Sequence, residues 1–199
     1  MIMQELKERT REAHNQVEAV SYSNNIMNGS LNLQQYTTII IANYIFNKGI
    51  EDIAYPVLEE SGMADRFELL ARRKTNLLLA DLEHLGISSN DVDTFYPQIT
   101  TIEQALGYLY VAEGSTLGGA VIARALAKNT NLKSVTAYGF YGCYGENVGN
   151  MWKNFIIAME SSAPRINNNP AIVTGGEDAF GFFGKCLEAA KAFTKVEVL

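Results

Sequence analysis

The stretch GYLYVAEGSTLGGAVIARAL, Gly107 to Leu126, keeps a helical period on both sides of three glycines, Gly114, Gly118 and Gly119. Each glycine inside a helix costs about 1 kcal/mol relative to alanine, so the cluster costs roughly 3 kcal/mol. Gly114 and Gly118 fall on one face, one turn apart, where a flat group or another backbone can approach without meeting a Cβ. Glycines so placed also permit a kink. Two readings are open: a surface for a flat ligand, and a close helix–helix crossing.

The helical period extends outward from this stretch over nearly the whole chain. A first helix is expected from about Gln4 to Val20, followed by a loop or broken helix over Ser21 to Ser30. A second starts after Asn32, a good N-cap, and Pro56 should bend or break its last part. Asp65 with Glu68 reads as a capping signal for a third helix ending at Gly86. The central helix opens at Thr100 or Thr101 and runs to about Lys128. A glycine- and tyrosine-rich connection, YGFYGCYGENVGN, then leads to a helix around Met151 to Glu160. PRINNNP and TGGED separate it from a last helix, Ala179 to Lys195. With no convincing strand pair and no internal repeat, the expected fold is all-α, one bundle-like domain spanning residues 1–199.

Composition narrows the function. A net charge of −6 and a pI near 5.0 argue against a general nucleic-acid binder. Arg72, Arg73 and Lys74 form a local basic run, expected to be a solvated helix face. Charges from Glu5 to Glu12 leave no room for a signal-peptide core, and no apolar stretch approaches the roughly 20 residues needed to span a bilayer. Cys143 and Cys186 form no C-x-x-C pair and read as reduced thiols of a cytoplasmic protein. They cannot supply the thiolates of an ordinary iron–sulfur cluster.

The second informative stretch is LKERTREAHNQVE, Leu6 to Glu18, which carries one of only two histidines. Leu6, Thr10, His14 and Val17 share a helix face, Lys7 and Arg11 flank it, and Glu18 lies one turn after His14. Such an imidazole can be a single axial ligand to a metal cofactor with cations near its acid groups, or simply a surface histidine beside a carboxylate. Other chemistries fail on inventory. Two histidines cannot make a three-histidine zinc site, and neither lies in the Glu-x-x-His motif of di-iron bundles. There is no nucleophile elbow, no phosphate-binding P-loop and no strand-borne G-x-G-x-x-G. His84 reads as a residue at a helix C-terminus, and Trp152, Phe155 and Met159 as core. Lys153 faces either solvent or a ligand's acid group.

Taken together, LKERTREAHNQVE closely resembles the proximal-helix signature of the haem oxygenases, and YVAEGSTLGG, Tyr110 to Gly119, resembles the distal-helix segment of their soluble bacterial, biliverdin-producing branch. The order, the separation and the all-helical pattern agree with that family. The resemblance implies that His14 is the proximal iron ligand, with Thr10 on the same face. It implies that Gly114 and Gly118 lie over the haem on the oxygen side, that Gly119 continues that segment, and that Lys7, Arg11 and Lys153 sit near the propionates. Ser115 departs from the membrane-anchored branch, where an aspartate organises distal water. The anchor of that branch is also missing here, which fits a soluble form.

The implied activity is oxidative opening of haem to biliverdin with release of CO and ferrous iron, with haem as both substrate and cofactor. It consumes O2 and needs an external reductant. The chain carries no flavin or iron–sulfur motif, so a ferredoxin or an NAD(P)H-dependent reductase is the implied partner. Its docking face would be the Arg72–Lys74 run or the Lys7/Arg11 rim. A haem carrier or sensor that leaves the ring intact is the alternative, supported by the Ser115 departure. A helical interaction protein without haem chemistry is the other.

Overall fold

Ten α-helices make up the structure, a computed structural model that describes residues 1–196. They are α1 (Ile2–Arg9), α2 (Arg11–Val20), α3 (Ser23–Met27), α4 (Leu33–Gly49), α5 (Tyr55–Glu60), α6 (Thr75–His84), α7 (Ile102–Ser115), α8 (Gly119–Lys128), α9 (Val148–Ile166) and α10 (Asn169–Val196). No strand occurs among the described residues, so the expected all-α class holds. The last three residues of the expected 1–199 domain lie outside the described residues.

The centre is built by α4, α7 and α10. In α4 an unbroken run from Thr38 to Asn47 is buried on every side, so this helix has no solvent face to pattern. α10 packs along both α4 and α7. Its crossing with α7 is made by glycines: a Cβ on Gly107 would collide with the backbone at Gly175 and Gly176, and one on Gly175 would sit 2.8 Å from Gln104 Cα. TGGED is therefore no separator. It lies inside the 28-residue α10, where glycine is kept because two backbones touch.

Local signals set several ends as expected. Asn32 with Gln35 and Thr101 with Gln104 form complete capping boxes. Gly86 closes α6 with φ +74°. At Pro56 the chain widens into a π-helical turn, Ile50–Ala54, and Pro56 then sits in the first turn of α5, where its missing N–H does no harm. The first helix divides at Thr10, whose Oγ1 donates to Leu6 O at 2.7 Å. Ser21 to Ser30 is a broken helix, with α3 inside it.

Besides TGGED, two further expectations fail. Asp65 and Glu68 do not cap a helix: Glu68 has φ +50°, its carboxylate pairs with Arg72 at 2.9 Å, and α6 begins only at Thr75. α9 extends past Glu160 through Pro164 to Ile166. Phe155 and Met159 are core, while half-buried Trp152 stacks on Phe155 with ring centroids 5.4 Å apart.

Candidate functional site

α2 presents His14 to solvent. Its side chain is 57% exposed, and no residue of α2 is buried. Nδ1 lies 3.8 Å from a Glu18 oxygen, and the ring meets Phe180 of α10 edge-on at 5.8 Å between centroids. Carboxylate and aromatic edge are the two groups that flank the imidazole. Nε2 has no hydrogen-bond partner among the described residues.

The α1–α2 arm meets the α7–α8 arm at two places. Near the start, Thr10 is buried, its hydroxyl donating to Leu6 O, and it stands beside Tyr110, one turn before Gly114. Burial raises the Tyr110 pKa, and the adjacent Thr10 side chain works the other way. Gly176 seals this end against Leu6 and Thr10. At the far end α3 packs on α8. Comparable packing of α2 against α7 or α8 is absent between these two places among the described residues. Between these two contacts α2 carries His14 on one arm, and the glycine turn belongs to the other.

The glycines divide sharply. A Cβ on Gly114 would meet only Trp152 Cη2 at 4.0 Å, and one on Gly118 only Ile122 Cδ1 at 3.6 Å. Neither is a helix crossing, so close helix packing does not account for these two positions. Gly119 is different: a Cβ there would lie 2.7 Å from Tyr141 O. It packs α8 on the 140s loop, whose Gly139 and Phe140 amides are held at 2.8 Å by buried Asp81. α7 ends at Ser115, a 3₁₀ turn spans Thr116–Gly118, and α8 follows. The turn is drawn in by Ser115 Oγ donating to Ala112 O and Thr116 Oγ1 to Glu113 O, both at 2.7 Å. With its proton so used, exposed Ser115 can only accept from water.

Lys7, Arg11 and Lys153 are all exposed and make no ion pair among the described residues. Arg9, by contrast, pairs with Glu177 at 3.7 Å. The Arg72–Lys74 run is not an open basic face, since only Arg73 of the three is exposed. Arg72 and Lys74 are each 1% exposed and converge on Glu113, also 1% exposed. Arg72 donates to one Glu113 oxygen, Lys74 to the other at 2.6 Å, and Tyr144 Oη to both at 3.0 Å. Arg73 pairs with Glu51 and Glu59. Burying two cations requires a partner, and Glu113 supplies it, so the expected docking face is withdrawn. Glu113 was missed, although it is the only charged residue between Gln104 and Arg124. A lone acid in an apolar helix was the available signal. His84 sits near the end of α6 with Nδ1 2.7 Å from Ala80 O.

The model of the family described as heme oxygenase matches residues 1–189. The chain belongs to the heme oxygenase family. That membership makes it an oxidoreductase of haem degradation. Heme oxygenase PigA of Pseudomonas aeruginosa is 28% identical over 190 residues, covering 93% of this chain and 90% of that protein. A heme oxygenase of Xanthomonas campestris is 33% identical over 119 residues, covering 59% and 69% respectively. Among solved structures, NO- and CO-bound heme oxygenase from Neisseria meningitidis superposes with a TM-score of 0.71 at 20% identity, covering 96% of this chain and 92% of that one. Heme oxygenase-1 of the cyanobacterium Synechocystis in complex with heme gives 0.71 at 15%, covering 99% and 95%. At these identities the likeness to solved structures shows the fold, the same all-α architecture. No helix among the described residues is long and apolar enough to cross a membrane.

The chemistry of these groups suits a haem: an exposed imidazole, backbone bare of Cβ atoms at Gly114 and Gly118, and cations without ion-pair partners among the described residues at Lys7, Arg11 and Lys153. A separate hollow of about 510 Å³, lined by Ile2, Glu160, Pro164 and neighbours, contains none of these groups.

Proposed function

We propose that this chain opens haem to biliverdin with release of CO and ferrous iron, consuming O2 and electrons from an external reductant. Haem, when bound, supplies the iron at which O2 is reduced and the carbon framework that is oxidised. The observation that supports the reading is the Gly114/Gly118 surface, two helix-breaking residues whose Cβ positions no neighbour crowds, in a chain that also presents an exposed His14.

The chain's own groups have distinct tasks. His14 holds the iron through Nε2, while Glu18 and Phe180 flank the imidazole. Lys7, Arg11 and Lys153 receive the propionates, whose charges pair best with cations not already neutralised. Gly114 and Gly118 let the distal backbone come close and exclude bulk water from the oxygen side. Ser115 Oγ accepts a hydrogen bond from a water and so holds a proton donor at the edge of the turn. Thr10 stands a turn away from His14 and beside Tyr110, where the two arms meet. Gly119 serves the packing of α8 rather than the ring.

Electrons come from a ferredoxin or an NAD(P)H-dependent reductase. With Arg72 and Lys74 buried, the Lys7/Arg11 rim is the docking face that remains for an acidic donor.

The test is a haem titration of apo-protein followed by reductant under air, comparing wild type with His14→Ala by absorption. One-to-one binding, then Soret loss and a biliverdin band in wild type alone, is the expected result. Tight His14-dependent binding with an intact Soret band would establish a carrier or sensor instead. Absence of binding would refute both.

A further inference from the structure

Directly behind the glycine turn lies the most heavily bonded buried group among the described residues. Arg72, with 0% of its side chain exposed, donates to Glu113 of α7, to Phe67 O at 2.6 Å, to Glu68 at 2.9 Å and to Met151 O at 3.0 Å. Two of these acceptors adjoin the glycine turn or its neighbour: Glu113 precedes Gly114, and Met151 precedes Trp152, the only neighbour a Cβ on Gly114 would meet. Lys74 and Tyr144 hold the Glu113 carboxylate from the other sides, and the Lys74 ammonium lies 5.3 Å from the Tyr144 ring centroid. Burial pushes the Tyr144 hydroxyl up, and the Glu113 charge pushes it further, so it stays a donor. Burial alone would lower the Arg72 pKa; the adjoining Glu113 carboxylate more than offsets this, and the guanidinium stays charged.

A buried ion pair adds little net stability over a well-packed apolar pair, yet it fixes distances and directions that apolar packing leaves loose. We propose that Arg72 and Glu113 form a strut that sets the spacing between the Gly114 turn and Trp152, and thereby the clearance of the distal surface over the ring. They are positioning residues: both are buried, and both act through the backbone beside Gly114 and Trp152. The inference rests on the haem reading for its purpose, though the spacing itself exists without ligand.

Trp152 is the only tryptophan, so its emission reports on this spacing in apo-protein. Glu113→Gln keeps the shape and removes the charge, Arg72→Lys keeps the charge and removes the fork, and Tyr144→Phe is a milder variant should the first two fail to fold. The expected result is a red-shifted, more quencher-accessible Trp152. Amide exchange at Gly114–Gly118 should be about tenfold faster, the size of one lost charge-assisted hydrogen bond, with α4 and α10 protected as before. In the haem-loaded protein, the ratio of biliverdin isomers should shift. Loosening spread evenly over α4, α7 and α10, or an unchanged Trp152 environment in variants that fold, would overturn the strut and leave only a structural tie. Wild type that binds no haem would refute the proposed function, while the Trp152 and exchange results would still decide the strut.

Discussion

Gly107 and Gly114 lie seven residues apart in α7, and their surroundings are opposite. Around Gly107 the backbone of α10 fills the space a Cβ would need, so the glycine is explained entirely by the protein. Around Gly114 there is only the rim of Trp152 at 4.0 Å, and Gly118 is as open. Each glycine costs the helix about the same. Where the fold supplies a contact in return, glycine is a packing device; at Gly114 and Gly118 it supplies none, and the proposed function puts the return in a ligand. The same division separates Gly119, pressed on Tyr141 O, from Gly118 beside it in sequence.

The strongest way to test this contrast is at the buried side of the turn. Glu113→Ala leaves Arg72 and Lys74 buried without their carboxylate and is expected to cost about 3–5 kcal/mol in urea or thermal unfolding. A loss below about 1 kcal/mol would mean that the cluster is not the anchor its geometry suggests. Gly107→Ala should cost about 3 kcal/mol by forcing α7 and α10 apart. Unchanged stability there would remove the packing half of the comparison.

Gly114→Ala should do the reverse, raising apo stability by up to about 1 kcal/mol because alanine is the better helix former and finds room. Haem affinity should fall at least about tenfold, since the added methyl takes the space of the ring. Improved stability with unaltered haem binding would remove the ligand half. Smallest in stability is His14→Ala, whose exposed side chain predicts a change within about 0.5 kcal/mol. Its effect belongs in the spectrum, as loss of the axial histidine signature in the ferric haem complex.

What the sequence disclosed, and what it hid, follows the range of the interactions. Capping boxes at Asn32 and Thr101 join residues three apart, and both were legible. The His14 stretch and the glycine stretch were legible one by one because each is a local pattern. The Asp65–Glu68 signal misled because a distant demand won: Glu68 turns to meet Arg72, which is itself drawn inward by Glu113, forty-one residues further on. TGGED looked like a breaker for the same reason, since only the crossing with Gly107 tells why two adjacent glycines stay inside a helix. The Arg72–Lys74 run showed its charge and concealed its burial. Its partner was visible as an isolated acid, but nothing local linked the two.

The two arms meet at both ends, where Thr10 stands beside Tyr110 and where α3 packs on α8, and the two walls between are spans of similar residue count. At 1.5 Å per residue, some thirteen residues of helix make each wall about 20 Å long. The walls are thus matched as a ladder's rails are matched, by length. Between those contacts no residue of α2 is buried, so packing constrains its side chains weakly. A single residue inserted into one wall and not the other would rotate its far contact by about 100° and pull it out of register. Across related chains, then, the tightest constraint on this region is expected to be the number of residues rather than their identity.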